Sequence, residues 1–325
     1  MALVVGVEIS DGELARAVGT GFDEVAGLLD GAGIGYVVLG ADRADGATES
    51  LSPAIAGTLF ARRTRGLGIV AAASPQRDHP YNIARRLASL DHLAHGRAGW
   101  LALREDRSTT LGQVARGSWT GPEPLGAAPL ADAVTAARAL WRTWPIETLT
   151  GTDSFVRHAD HTGQYSTTGP LNVPTTPQGE PVVWWRYERG DDPGHVGVAD
   201  VAIVAPGEID TARAELPESV HRHVRIDNAD LAGHTGDRAD VHGSALPGGP
   251  TLADLAARDD VHGVLIRLDL AALPDFAERT LPALAAAGLV RLRVSGGTST
   301  LRDHLGIARR TEPDLSRHRL VFAAS

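Results

Sequence analysis

The chain contains no cysteine and no lysine. Without thiols it cannot form a disulfide, a thiolate zinc site or a cysteine nucleophile. Without an ε-amine it has no residue for Schiff-base or P-loop chemistry, and each of its 31 basic residues is an arginine. No apolar run approaches the roughly 20 residues of a membrane-spanning helix, and the start of the chain lacks a basic segment leading into an apolar core. A basic surplus is missing as well. Against 31 basic residues stand 40 acidic ones, giving a formal net charge of −9 and a pI near 5.8, the opposite of what a general nucleic-acid binder requires. These absences lead us to expect a soluble, cytoplasmic protein that engages neither nucleic acid nor membrane.

What is present is a regular alternation of short apolar runs and amphipathic stretches. A length of 325 residues is long for one α+β domain but ordinary for a single barrel. The best-specified stretch is Gly66 to Leu103, GLGIVAAASPQRDHPYNIARRLASLDHLAHGRAGWLAL. Gly66 to Ala73 reads as a strand buried on both faces. Asp78 is placed to cap a helix whose first turn tolerates Pro80, and Ile83, Leu87, Leu90 and Ala94 then share one face. Gly96 ends that helix and Ala98 to Leu103 is the next strand. A strand, helix, strand unit of this length implies a right-handed crossover between parallel strands.

The remaining elements follow in the same pattern. Strand one is Leu3 to Ile9, followed by a helix over Leu14 to Leu29. Strand two, Gly33 to Leu39, delivers Gly40-Ala41-Asp42 at its C-terminal end, and Pro53 to Arg63 is a helix. The polar Arg104 to Gly126 stretch is a long loop, and Ala131 to Trp144 is a helix ending at Pro145. Thr150 to Gln178 is an excursion, with Phe155-Val-Arg-His and Gln164-Tyr-Ser-Thr able to form a hairpin. Strands five to seven are Pro181 to Tyr187, Asp200 to Ala205 and Val220 to Asp227, with only short helices between them. Asn228 to Pro250 is a flexible crossover, Leu252 to Arg258 a helix, Gly263 to Leu268 strand eight and Pro274 to Ala287 the closing helix. The count is eight strands.

Three segments carry a family resemblance. DHPYNIARRLASLDHLAHGRAGW, from Asp78 to Trp100, resembles the sequence after the third barrel strand of bacterial-luciferase-like flavin monooxygenases, in the branch with the nitrilotriacetate and dibenzothiophene-sulfone monooxygenases. GPLNVPTTPQGEP, from Gly169 to Pro181, is similar to that branch's loop before strand five. GTSTLRDHLG, from Gly297 to Gly306, is similar to its C-terminal tail. The resemblance implies an α/β fold, one luciferase-like (β/α)8 TIM barrel spanning residues 1–325, with a hairpin excursion before strand five and a shortened second half. It also implies a monooxygenase that takes reduced FMN from a separate flavin reductase and uses O2 to oxidise a small organic substrate. A homodimer paired through the helices after strands two and three is implied too, and Ile55, Leu59 and Phe60 on the first of these fit such an interface.

Four residues are candidates for holding the cofactor. Asp42 matches an acidic position near the flavin, although a helix or loop cap is the alternative. Ser74 matches a hydroxyl facing the ring, but Ala71-Ala72-Ala73 precede it, where relatives carry a further hydroxyl or more. Where the family has Gln-Ala-Gly-Ser-Ser cradling the phosphate, this chain has Trp185-Arg186-Tyr187-Glu188-Arg189. Glu188 there is repulsive to a dianion, while Arg186 or Arg189 can pair with it. The Asn and Ser/Thr expected after Trp100 are replaced by Leu101-Ala102-Leu103-Arg104-Glu105, and the His and Tyr expected before Leu140-Trp141 by Glu123 and Ala127. These departures keep open a second reading, a non-catalytic barrel that has lost flavin, and a third, a deazaflavin-dependent oxidoreductase. No catalytic residue is assigned. His79-Pro80-Tyr81 reads first as a helix start. His158, Asp160 and His161, and likewise His221 and His223 on one strand face, read as surface histidines rather than metal ligands.

Overall fold

The computed structural model describes residues 2–45, 51–107, 120–121, 123–151, 155–227, 250–293, 299–310 and 317–322. Most of the Arg104 to Gly126 loop, the Asn228 to Pro250 crossover except its last residue, and the start of the Gly297 tail lie outside the described residues. Eight parallel strands close on themselves: β1 (Leu3–Ile9), β2 (Tyr36–Leu39), β3 (Gly68–Ala73), β4 (Ala98–Ala102), β5 (Val182–Arg186), β6 (Val201–Val204), β7 (His221–Asp227) and β8 (Gly263–Arg267). Pairing of β1 with both β8 and β2 completes the ring. A two-residue strand, β9 (Val290–Arg291), pairs with the start of β1 at the N-terminal end.

Strand alternation divides the core into two layers. Val4, Tyr36, Val38, Val70, Ala72, Leu101, Trp184, Val201, Ile203 and Leu265 fill the barrel interior, while the alternate residues meet the helices outside. Tyr36, Trp184 and His223 are large interior side chains, each with a glycine opposite it. A Cβ on Gly6 would lie 2.2 Å from the Tyr36 ring, one on Gly99 2.3 Å from Trp184, and one on Gly263 2.6 Å from His223. These glycines create the room that lets bulky side chains pack at interior density.

Outside the ring lie α1 (Asp11–Thr20), α2 (Phe22–Gly31), α3 (Pro53–Arg63), α4 (Pro80–Leu93) and α5 (Ala127–Trp141). The second half is thinner: α6 (Pro193–Val196) has 4 residues, α7 (Ile209–Glu215) 7 and α8 (Leu252–Ala257) 6. The closing helical run comprises α9 (Leu273–Asp275), a π turn (Phe276–Thr280) and α10 (Leu281–Ala286). The π turn sits just before Pro282, whose ring and missing N–H disturb an α-helical ladder. Finally α11 (Leu301–Leu305) inserts Leu301 and Leu305 into the barrel floor, with the Leu301 N–H on the Gly96 carbonyl at 2.9 Å.

Several expectations are corrected. The single helix over Leu14 to Leu29 is two helices broken at Gly21. The α4 cap is His79, whose Nδ1 accepts the Tyr81 N–H at 3.1 Å. Pro80 at the first helical position puts the cap one residue before it, so Asp78 is one too early and instead receives Asn82 and Arg86. Helix α5 spans 127–141 rather than 131–144, because the residue before Pro145 is driven out of helical geometry and the Thr143 hydroxyl takes the Leu140 carbonyl. The hairpin closes only near its tip, at the His161–Thr167 bridge, while Arg157 pairs with Leu320 of the C-terminal segment.

Candidate functional site

The C-terminal ends of the strands face one side of the barrel, the side on which barrel enzymes place their chemistry. At the end of β2 the chain makes a 3-10 turn, Ala41–Asp45. Asp42 in this turn accepts the N–H of Asp11 with both oxygens, so it ties β2 to the start of α1. Burial raises the Asp42 pKa, opposed by that hydrogen bond. Asp11, fully buried, is pushed up to about 6 by burial despite the Arg43 guanidinium 3.0 Å away. Arg43 continues to Asp106 at 2.9 Å, and Asp106 to Arg77 at 3.1 Å. Alternating charges therefore line the wall of a cleft.

That cleft, about 270 Å³, lies between the end of β3 and the first turns of α3 and α4. Ser74 faces it beside Ala72, Ser52, Arg77 and Arg86. The Ser74 hydroxyl accepts the Gln76 N–H at 3.2 Å, which fixes the turn after β3. The volume falls just below the roughly 300–1,000 Å³ typical of small-molecule sites.

Across the mouth, Arg186 leaves β5 on its interior face and donates to the Ala41 carbonyl at 3.0 Å, with its Nε buried and without a partner. Glu8 of β1 and Arg225 of β7 form a two-point ion pair at 2.8 Å for each bond, and Glu8 pushes the Arg225 pKa further up. Arg189 turns outward onto Glu208 at 3.0 Å. Of the four sequence candidates, then, Arg186 reaches the Ala41 carbonyl, next in chain to Asp42, Ser74 lines the cleft, and Arg189 is on the exposed surface.

Whether these residues suit a flavin phosphate is answered at the end of β5. Asp191 curls back beneath the turn and accepts the Glu188 N–H at 3.1 Å and the Trp185 indole N–H at 2.9 Å. Arg104, at the end of β4, pairs with the same carboxylate, lies within 3.5 Å of Glu188 and covers the Trp185 ring. The amide of Glu188 is thus committed to Asp191, and the carboxylates of Asp191 and Glu188 both lie at this strand end beside Arg104. The described residues at this strand end do not fit a phosphate group. Trp184 lies deep in the interior, while Trp185 and Tyr187 pack outward, the Tyr187 hydroxyl donating to Glu215 at 2.5 Å.

Residue types alone did not single out Glu8, Asp11, Arg43, Asp106 or Asp191. Each lies just past or within two residues of a strand end or in the turn that follows, so position was the usable signal. His79 caps α4, His158 bonds the Gly169 carbonyl and His161 pairs with Asp132 at 2.9 Å. Among the described residues no group of three or more His, Asp or Glu is arranged to hold a metal ion, and no helix is long and apolar enough to cross a membrane.

Known proteins place this architecture. A pristinamycin IIA synthase subunit of Streptomyces pristinaespiralis is 30% identical over 282 residues, covering 85% of this chain and 81% of that protein. Nitrilotriacetate monooxygenase component A of Aminobacter aminovorans is 30% identical over 131 residues, 37% of this chain and 28% of its own length. The fold matches EDTA monooxygenase from Chelativorans sp. BNC1 with a TM-score of 0.70 at 17% identity, over 95% of this chain and 99% of that one. Several homologues are named as monooxygenases, hence oxidoreductases, consistent with luciferase-like monooxygenase activity here. With residues 7–185 matching the luciferase-like monooxygenase family and the closed parallel barrel agreeing, the chain belongs to that family.

Proposed function

We propose that the chain is the barrel component of a flavin-dependent monooxygenase system that oxidises a small organic substrate with O2, drawing on reduced FMN from a separate flavin reductase in the cytoplasm. The observation that carries this reading is the match over most of the chain to a protein named as part of a synthase, supported by a relative named as component A of a monooxygenase. Both names describe one part of a larger system. In such a system bound flavin supplies the oxygen chemistry. A homodimer through α3 and α4 is part of the same proposal.

The strand-five end favours a second, narrower reading: a family barrel that serves within an assembly without a flavin phosphate site of its own. The Arg104–Asp191 pair and the committed Glu188 amide support it. Titration of the purified chain with FMN, with reduced FMN under anaerobic conditions and with the deazaflavin, followed by fluorescence, separates the readings. Micromolar binding of reduced FMN supports the oxygenating barrel, preference for the deazaflavin the third reading, and no binding of any of them the flavin-free barrel. Turnover by a flavin-free chain with no partner would defeat all three.

A further inference from the structure

The N-terminal floor of the barrel holds a group of histidines that the proposed chemistry does not use. His223 projects into the interior, wholly buried, with Nδ1 2.6 Å from the Tyr36 hydroxyl and Nε2 without a partner. His221, two residues earlier on the same face of β7, stacks on His262 with ring centres 4.1 Å apart, and its Nδ1 is also buried without a partner. His304 belongs to α11, the helix that plugs the floor, and its Nε2 is a third buried, unpartnered nitrogen, packed so closely that a Cβ on Gly35 would come within 2.8 Å of it.

The charges around this group are mostly positive. His304 faces Arg291 and Arg293; His223 faces Arg291 and the other three imidazoles. His221 faces Arg222, Arg291 and Asp200, and His262 faces Arg222 and Asp260. Both carboxylates are already committed, Asp200 to Arg138, Arg302 and Arg310, and Asp260 to Arg258. A proton on His223 would therefore be a fully buried cation with no free counter-ion, and His221, His262 and His304 are half-buried, with the His262 Nδ1 already accepting the Arg222 N–H at 3.2 Å.

We propose that His221, His223, His262 and His304 form an acid-operated latch, which keeps α11 seated in the barrel floor while the imidazoles are neutral and releases it when they charge. Seating rests on Leu301 and Leu305 in the interior, the Leu301 bond to Gly96, the Arg302 pair with Asp200 and the Arg291 bond to the His304 carbonyl at 3.0 Å. Unseating carries His304 into water and opens the floor to His221 and His223.

The sign follows from burial. Burial is the first cause lowering all four imidazoles, His221 and His304 to about 4 and His223 well below its ordinary value. The released state recovers the ordinary value near 6.5 and binds protons first, so the seated state is favoured above that pH and loses ground as pH falls toward about 4. Each such imidazole should raise the opening equilibrium roughly 30-fold between pH 7.5 and 5. Asp11 and Asp91, raised to about 6, act in the opposite sense on the whole fold. The effect should accordingly be local to the floor.

Hydrogen exchange of the α11 amides, corrected for the intrinsic pH dependence of exchange, tests the proposal alongside the β4 amides as internal reference. The expected result is α11 protection falling at least 30-fold from pH 7.5 to 5 with β4 unchanged, and a correspondingly flatter profile in His304→Gln. Protection that is constant with pH, that falls in step with β4, or that behaves identically in His304→Gln would overturn the latch. Should that variant fail to fold, nitrogen NMR of the imidazoles in the unaltered protein decides: charging of the four with α11 protection unchanged refutes it, and charging that coincides with the loss of α11 protection supports it.

Discussion

Both carboxylate oxygens of Asp42 accept the backbone N–H of Asp11, at 3.1 and 3.2 Å, so a residue placed by its position at a barrel strand end satisfies a first-turn N–H of α1, beside the Ser10 N-cap that takes the Glu13 N–H. Removing it with Asp42→Ala should cost about 0.5 to 2 kcal/mol, as for the loss of a helix cap. Urea denaturation reads this directly. A midpoint equal to that of the parent, together with a changed response to FMN, would make Asp42 a cofactor ligand instead.

At the end of β5 the barrier to a phosphate is a network rather than two side chains. Arg189 reaches Glu208 and Glu188 leans toward Arg104, while Asp191 holds the turn from within. Replacing Glu188 and Arg189 together by Ser is therefore expected to leave FMN binding weak, because Asp191 and its bonds remain. Arg104→Gln should lower stability by about 1.5 to 3 kcal/mol, the range for hydrogen bonds to charged groups. Tight FMN binding by the double Ser variant would show that the network is not what excludes the phosphate.

Asp200 joins α5, β5, β6 and the C-terminal segment through Arg138, Arg302, Arg310 and the Val183 N–H. Burial works against its charge, but the three guanidiniums hold its pKa well below the ordinary 3.8. The group's folded pKa is depressed, so its contribution is complete above 3.8 and fades as pH falls further below it. Asp200→Asn should destabilise by roughly 3 to 5 kcal/mol, as expected for leaving buried charges unpaired. The difference between parent and variant, measured by denaturation at pH 7 and at pH 3, should shrink at the lower pH.

On α3, Ile55 is 67% exposed and Leu59 36%, whereas Phe60 is fully buried against Phe22 with ring centres 4.7 Å apart. Only the first two can meet a partner, which narrows the interface expected from sequence. Light scattering across a micromolar dilution series should give a mass above the 34.1 kDa of one chain, reduced by Ile55→Glu and Leu59→Glu. A mass of one chain at all concentrations would remove the dimer from the proposal.

The sequence by itself determined the strand content and the faces of the long helices. Residues such as Ile83, Leu87 and Leu90 repeat at helical spacing, and runs such as Gly68–Ala73 alternate with them, so local periodicity carried the barrel. It also supplied the family, through contiguous segments that include α4 and the loop before β5. Only the tertiary structure decided what the strand ends do. Asp42 bonds a first-turn N–H because α1 starts beside it, Arg104 and Asp191 met across 87 positions of chain, and Glu8 found Arg225 across 217. Such pairings depend on how closure of the ring brings distant strand ends together, and no local pattern records them. The histidines show the same limit: alternation put His221 and His223 on one face of β7, but only the closed barrel and its α11 plug buried His223 fully and His221 in part.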